Sequence, residues 1–137
     1  MRAVARRREG YTHEIETDGG HTFVIDEPVA AGGNDAGPSP SRTVAAALAA
    51  CTAITCEMYA ARKGWQLGEV AVAVDAESDG NGGIAGCLVT LCVSEPLDEE
   101  QERRLLVIAG KCPVHRALVG ETPVRIGDRI KRPASGG

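Results

Sequence analysis

Residues 39–64 read SPSRTVAAALAACTAITCEMYAARKG, and this stretch predicts the central element of the fold. Ser39 is a typical N-cap residue, and Pro40 directly after it suits the first turn of a helix. Gly64 stops the run, because glycine readily takes the left-handed conformation that ends helices. We therefore expect one long helix from about Pro40 to Lys63.

Apolar residues recur along this helix at spacings of three and four residues, which places them on one face. They are Val44, Leu48, Cys51, Thr55 and Met58. The opposite flank is rich in alanine, so we expect the helix to be buried nearly all round, against another helix at close range. Cys51 would then lie on the central buried stripe.

Shorter periodic segments flank the long helix. Strands are predicted over residues 2–8, 11–17, 21–25, 70–76, 84–93 and 124–130. An amphipathic helix is predicted from Leu97 to Ala109, and Cys112-Pro113 opens a shorter one. The order βββ-α-ββ-α-α-β describes an α+β domain. We expect a single domain over residues 1–132 and a flexible tail over 133–137.

Net charge, apolar runs, cysteine number and aromatic content limit the classes of function that the chain can have. The formal net charge of −4 argues against nucleic-acid binding as the main activity. No stretch approaches the roughly 20 apolar residues that span a bilayer, and the N-terminus lacks an apolar signal core, so we expect a cytoplasmic protein without a membrane partner. In that compartment five cysteines, an odd number, do not suggest a static disulfide framework. Aromatic content is only 3%, so further burial through oligomerisation is plausible.

Cys112 is the cysteine with local support for a reactive thiolate. Pro113 places it at or beside the N-cap of a short helix, where free backbone N–H groups and the helix dipole stabilise a thiolate. Lys111, His115 and Arg116 add positive charge nearby. We expect this thiol to be exposed at the helix start.

Cys51 has no such local support. It lies about three turns into an apolar helix, beyond the reach of the dipole, and burial alone would make it inert. Taken in isolation, this position is best interpreted as a buried core cysteine. Activation would need a cation from elsewhere in the fold, and Arg6, Arg7 or Arg8 is the obvious source.

The other three cysteines are predicted to be small core residues. Cys56 follows Cys51 by five residues, so the two point in different directions around the helix. Cys87 and Cys92 have opposite parity on one strand and face opposite sides of the sheet.

A metal site is a minor alternative. Cys112 and His115 share one helical face, and His13 and His21 lie elsewhere in the chain. Structural zinc normally needs four ligands in recognisable pairs, and the sequence contains no second pair. The glycine loop from Gly32 to Gly37 lacks the spacing of a phosphate-binding loop, so we expect no cofactor.

Three motifs together resemble the OsmC/Ohr superfamily. They are the loop from Gly32 to Ser41, the alanine run that leads to Cys51, and Cys112-Pro113-Val114. The predicted order of elements fits that family over nearly the whole chain. The resemblance implies an OsmC-like fold, in which two chains form an intertwined homodimer with long central helices packed between sheets. It also implies an active site at each end of the subunit interface.

The resemblance implies a reaction as well. The cysteine that matches Cys51 is the peroxidatic residue, which attacks an organic hydroperoxide and becomes a sulfenic acid. The cysteine that matches Cys112 resolves it as an intramolecular disulfide. An arginine from an N-terminal strand turn activates the first thiol, and Arg7 is our choice for its match. The family's reductant is a dithiol, such as a lipoyl protein or thioredoxin.

One position departs from the family's pattern. A glutamate normally stands near the start of the long helix, ten residues before the peroxidatic cysteine, and this chain has Ser41 there. The two cysteine contexts and the resemblance make a thiol peroxidase for oxidative stress defence the leading hypothesis, and the missing glutamate motivates an alternative. The alternative is a dimeric small-molecule-binding protein of the same fold without efficient peroxidase activity.

Overall fold

The structure is a computed structural model that describes residues 1–127 and 129–132. It confirms a mixed α+β architecture. The strands are β1 (Ala3–Glu9), β2 (Thr12–Thr17), β3 (Thr22–Ile25), β4 (Val70–Ser78) and β5 (Ile84–Val93), and the helices are α1 (Pro40–Lys63), α2 (Glu99–Ala109) and α3 (Pro113–Arg116). A 3₁₀ turn occupies Val29–Ala31, and a turn of π type, interrupted by the left-handed Gly120, occupies Ala117–Glu121.

The first three predicted strands are present and form an antiparallel meander, in the order β1-β2-β3. In its register Ala5 lies opposite Ile15, and Ile15 lies opposite Phe23. Residues directly opposite each other in an antiparallel pair share a face, so this side of the sheet is apolar. The sheet has no extensive contact with α1 in the described part of the chain. Its apolar face is therefore left without a partner, and Phe23 is exposed.

Helix α1 has the bounds that the sequence predicts. Ser39 is the N-cap, and its side chain accepts a hydrogen bond from the backbone N–H of Arg42. Gly64 ends the helix in the left-handed region at φ 71°. These caps are local signals, which explains why the sequence alone places both ends correctly.

The predicted burial of α1 is wrong in two respects. The buried side chains lie on a stripe rotated from the predicted one, and they are Leu48, Thr52, Cys56, Tyr59 and Ala60. The helix is not buried all round, since Ile54 and Met58 are 51% and 62% exposed. The reason is that β4, β5, α2 and α3 all cover the same side of α1.

The main core lies where the second half of α1 meets α2 and the β4-β5 hairpin. It consists of Cys56, Tyr59, Ala60, Leu67 and Leu105. Tyr59 packs edge-on against Trp65, with ring centroids 5.6 Å apart. The Tyr59 hydroxyl accepts a hydrogen bond from Nε of Arg104 at 2.9 Å, which lowers the pKa of this tyrosine. This contact fixes α2 against α1.

A buried carboxylate organises the loop between β3 and α1. Asp26 is almost completely buried and accepts hydrogen bonds from the Thr12 hydroxyl at 2.6 Å and from the backbone N–H groups of Glu27 and Ala36 at 2.7 and 3.1 Å. Only glycine fits at Gly33, because a Cβ there would overlap the carbonyl of Glu27. The loop is thus folded around one anion.

The pKa of Asp26 lies below its ordinary value of 3.8, mainly because the Thr12 hydroxyl donates to the carboxylate. A lowered folded-state pKa stabilises the protein above the ordinary pKa, and this stabilisation is lost as the pH falls through the folded value. We expect Asp26→Asn to melt at a lower temperature than the unsubstituted protein at pH 7, and the gap to close as the pH falls below about 4. Circular dichroism melts between pH 3 and 7 measure this gap. The exposed Asp75→Asn serves as a control, and a gap for Asp26→Asn that is independent of pH would contradict the assignment.

The predicted last strand, from Val124 to Ile130, is wrong for the described residues 124–127 and 129–130, none of which is in a strand. The alternating side chains Val124, Ile126 and Ile130 are 86%, 93% and 90% exposed. Alternation alone does not form a strand without the edge of another strand beside it. Residue 128 and the predicted flexible tail, 133–137, lie outside the described residues.

The length and apolar composition of α1 also correct an expectation. The helix has 24 residues and a mean hydropathy of 1.5 over its most apolar window, so by these measures it is long and apolar enough to cross a membrane. The expectation that no stretch approaches this limit is therefore wrong. A core helix of a soluble protein passes the same test, which makes this weak evidence for a membrane span.

Candidate redox site

Cys112 is the N-cap of α3, as the sequence predicts. Its sulfur accepts a hydrogen bond from the backbone N–H of His115 at 3.3 Å, and it lies 3.7 Å from the hydroxyl oxygen of Thr52. The predicted exposure is wrong, because the residue is fully buried. The start of α3 packs directly on α1 at Thr52, and this contact covers the sulfur. The sulfur thus lies between a backbone N–H group and a hydroxyl group.

Cys51 is half-buried, and it lies at the edge of the exposed apolar face of α1 that carries Ile54 and Met58. The predicted order of burial is therefore reversed: Cys51 is the more accessible thiol and Cys112 is the enclosed one. A thiol that reacts with a substrate must be sterically accessible. Within one chain, Cys51 is more accessible than Cys112.

The two thiols lie at the same turn of α1. Cys112 contacts Thr52, which directly follows Cys51 in the chain, and consecutive residues of a helix are about 100° apart around its axis. The thiols therefore approach this turn from adjacent sides. Both are free cysteines in the structure.

The three arginines of β1 are not equivalent. Arg6 forms an ion pair with Glu16, and Arg8 forms one with Glu14. Arg7 points to the opposite side of the sheet. It forms no ion pair within residues 1–127 and 129–132. Among the three, Arg7 is thus the cation left available for another partner.

None of these arginines is brought to Cys51 within one chain. They lie on β1, and the sheet that contains β1 has no extensive contact with α1 among the described residues. Arg7 lies opposite His13 in the strand register, on the apolar side of the sheet. Within the described part of one chain, Arg7 thus has no contact with Cys51.

Cys56 is fully buried, which confirms its predicted place in the core. Its sulfur donates to the carbonyl oxygen of Leu105 at 3.8 Å. Burial raises the pKa of the Cys56 thiol, and the charges of Cys112 and Glu57 raise it further. Cys56 is thus held as a neutral thiol.

Cys87 and Cys92 are both exposed, so their prediction as core residues is wrong. In the strand register Cys87 lies opposite Ala76 and Cys92 opposite Ala71, which confirms that the two face opposite sides. Cys92 lies on the face that points away from the core, whereas Cys87 shares the side of Leu91 and Val93 but lies farther along the strand, near the hairpin tip, where it stays exposed.

A cleft of about 710 Å³ lies at the start of α1, between this helix, the loop after β3 and the β4-β5 hairpin. Its polar lining includes Glu27, Arg42 and Asp75, and neither Cys51 nor Cys112 lines it. Ser41, which replaces the expected glutamate, also lines the cleft, and its hydroxyl donates to the carbonyl of Gly82 at 2.7 Å. This cleft could not be predicted from the sequence, because it forms only where the hairpin tip meets the helix.

The alternative of a metal site finds no support in the geometry. Among residues 1–127 and 129–132, no three His, Cys, Asp or Glu side chains are grouped so that they could hold a metal ion. His13 lies on β2, and its Nδ1 is within hydrogen-bond distance of the carbonyl of Tyr11.

Comparison with known protein families finds one match. The model of the family described as OsmC-like protein matches residues 32–127. No curated protein matches the chain.

Solved structures resemble it over most of its length. A putative osmotic stress induced and detoxification response protein from Psychrobacter arcticus is 15% identical, with a TM-score of 0.77, over 84% of this chain and 85% of that one. The organic hydroperoxide resistance protein OhrB of Bacillus subtilis is 30% identical, with a TM-score of 0.56, over 87% and 90%. A putative organic hydroperoxide resistance protein from Vibrio cholerae, with captopril bound in one of its active sites, is 26% identical, with a TM-score of 0.62, over 88% and 85%.

Proposed function

The chain belongs to the OsmC-like protein family, and from this premise we propose that it is a cytoplasmic thiol peroxidase that reduces organic hydroperoxides. The observation that supports this proposal most is the placement of two unequal thiols at one turn of α1. Cys51 is accessible, whereas Cys112 is enclosed and has its sulfur held by the His115 N–H. This is the arrangement that an attacking thiol and a resolving thiol require.

The proposed reaction has two steps in the protein. The Cys51 thiolate attacks one oxygen of the hydroperoxide, the O–O bond breaks, and the alkoxide leaves as an alcohol after it takes a proton. Cys51 is then a sulfenic acid. The Cys112 thiolate attacks the Cys51 sulfur, the S–S bond forms, and hydroxide leaves as water after protonation. A dithiol reductant, of the lipoyl-protein or thioredoxin type, restores both thiols by disulfide exchange.

Arg7 is proposed to stabilise the Cys51 thiolate from the partner chain. We expect Arg7→Ala to lower the second-order rate constant for cumene hydroperoxide by roughly tenfold or more, because one pKa unit of lost stabilisation is a tenfold loss of thiolate. Stopped-flow measurement of hydroperoxide consumption gives this constant. The matched controls are Arg6→Ala and Arg8→Ala, whose guanidinium groups are engaged by glutamates and whose rates are expected to stay within about twofold of the unsubstituted rate. Equal effects of all three substitutions would contradict the assignment.

The active form is proposed to be a homodimer. Among the described residues, three apolar surfaces lack a partner: the face of α1 with Ile54 and Met58, the apolar side of the β1-β2-β3 sheet, and the segment with Val124 and Ile126. Large exposed apolar surfaces mark association sites in soluble proteins. Two α1 helices packed through their open faces would cover the first of these surfaces and leave Cys51 at the edge of the contact.

The dimer proposal predicts the effect of a charge on the open face of α1. Ile54 is exposed in the single chain, so Ile54→Glu is expected to preserve the fold but to convert the dimer into a monomer. Light scattering coupled to size exclusion measures the mass. Leu106→Glu, at an exposed apolar position of α2, is the matched control and is expected to remain a dimer. A dimer that survives Ile54→Glu would exclude this face as the interface.

The cleft beside Ser41 favours a second candidate, a dimeric small-molecule-binding protein without efficient peroxidase activity. In this case the Ser41 hydroxyl serves to hold the hairpin tip, and the cleft holds the ligand. Labelling with iodoacetamide at neutral pH separates the two functions. Rapid alkylation of Cys51 supports the peroxidase, whereas an unreactive Cys51 favours the binding protein.

A further inference from the structure

Two fully buried cysteines lie on one side of α1. Cys112 contacts Thr52, and Cys56 is four residues beyond Thr52 on the same buried stripe. Side chains four residues apart are neighbours on a helix surface, with Cβ atoms about 5–6 Å apart. The sulfur of Cys112 therefore lies on the side of α1 that carries Cys56, whereas Cys51 lies toward the open side.

The two buried thiols have opposite hydrogen-bond roles, and the charge of Cys112 affects the pKa of Cys56. The Cys112 sulfur accepts a hydrogen bond from the backbone N–H of His115. The Cys56 thiol donates to the carbonyl of Leu105, which favours its protonated form. Burial and the negative charge of Cys112 both raise the pKa of Cys56, as expected for two sulfurs that are close together in the core.

We infer that Cys56 is a third redox-active cysteine, which forms a disulfide with Cys112 between α1 and α3. The first step rests on the proposed function, which supplies the Cys51–Cys112 disulfide. Cys56 then loses its proton, and its sulfur attacks the sulfur of Cys112. The new S–S bond forms as the bond to Cys51 breaks, and Cys51 leaves as a thiolate that takes up a proton. One disulfide replaces another, so the exchange needs no further oxidant.

This exchange changes the state of the site. The Cys56–Cys112 disulfide lies in the core, where a dithiol reductant cannot reach it without local opening of the protein. Cys51 becomes a free thiol without a resolving partner. Further hydroperoxide therefore carries Cys51 up the oxidation ladder toward sulfinic acid. The exchange slows turnover and is faster at higher pH, because its nucleophile is the Cys56 thiolate.

The test follows the disulfides over time. The unsubstituted protein, Cys56→Ala and the control Cys92→Ala each receive one equivalent of cumene hydroperoxide, and samples are quenched with acid, treated with N-ethylmaleimide and digested with trypsin. Cys51 and Cys56 share the tryptic peptide 43–62, so fragmentation of the linked peptide between them assigns the bond. We expect a Cys51–Cys112 link at early times, replaced later by a Cys56–Cys112 link. In Cys56→Ala the first link persists, and Cys92→Ala behaves as the unsubstituted protein.

The outcomes separate the inference from the proposed function. A Cys51–Cys112 link that lasts as long in the unsubstituted protein as in Cys56→Ala overturns the inference alone. If hydroperoxide treatment produces no disulfide, the proposed function fails. The Cys51→Ser variant treated with diamide then tests separately whether Cys56 can form a disulfide with Cys112. Diamide removes two thiol hydrogens and is reduced to a hydrazine. A Cys56–Cys112 link in that sample supports the inference, and complete alkylation of all remaining thiols overturns it.

Discussion

Cys51→Ser removes the reduction of cumene hydroperoxide, with an expected fall in rate on the order of a thousandfold or more. Serine has nearly the shape of cysteine, but its hydroxyl is not ionised near neutral pH and does not attack the O–O bond. The position is half-buried at the edge of the open face of α1, so the substitution leaves the fold intact. The buried thiols of Cys56 and Cys112 cannot take over the attack. Hydroperoxide consumption in the presence of a dithiol measures the loss.

The matched control for this result is Cys87→Ser, which removes an exposed thiol on β5. Its rate is expected to equal that of the unsubstituted protein, because the thiol lies on another element and contacts neither reactive cysteine. Unchanged turnover in Cys51→Ser would exclude the proposed reaction.

Cys112→Ser is expected to separate the two steps of the reaction. Serine is a preferred N-cap residue, so it can accept the same hydrogen bond from the His115 N–H and preserve the start of α3. The first equivalent of hydroperoxide is consumed at close to the normal rate, because Cys51 is intact. Repeated turnover then fails, and excess hydroperoxide drives Cys51 to sulfinic acid. We expect the steady-state rate to fall by roughly tenfold or more, since the sulfenic acid has lost its resolving thiol.

Pre-steady-state and steady-state assays on the same preparation check this separation. Thr52→Ser serves as a control, because it retains the hydroxyl beside the Cys112 sulfur and leaves both thiols in place. Slow consumption of the first equivalent by Cys112→Ser would show that Cys112, and not Cys51, is the attacking thiol.

The parts of the fold that the sequence predicts correctly are those with local causes. Ser39, Pro40 and Gly64 define both ends of α1 through capping, which depends only on residues near each end. The N-cap position of Cys112 follows in the same way from Pro113. These predictions needed no knowledge of the remaining chain.

The errors concern what covers each face, which is a property of distant segments. The sequence does not indicate that β4, β5, α2 and α3 all pack on one side of α1. Because of this packing, Cys112 is buried and Cys51 is the more accessible thiol, the reverse of the prediction. The exposed residues Val124 and Ile126 alternate as a strand does, but no strand edge lies beside them in the described part of the chain. These apolar surfaces become intelligible if a second chain completes the fold.

In the candidate site, too, the features with local causes could be predicted and those that depend on distant packing could not. The helix-start position of Cys112 could be predicted, whereas its contact with Thr52 and its nearness to Cys56 required the packing of α3 on α1. The choice of Arg7 among three neighbouring arginines gained support only from the strand register and the ion pairs of Arg6 and Arg8.

The most direct test of the central claim uses Cys112→Ser treated with one equivalent of cumene hydroperoxide in the presence of dimedone, which reacts with sulfenic acids. Mass spectrometry then locates the adduct. The proposed function predicts one adduct per chain at Cys51, assigned by fragmentation between Cys51 and Cys56. The absence of an adduct, or an adduct at any other cysteine, would contradict the claim that Cys51 is the thiol that attacks the hydroperoxide.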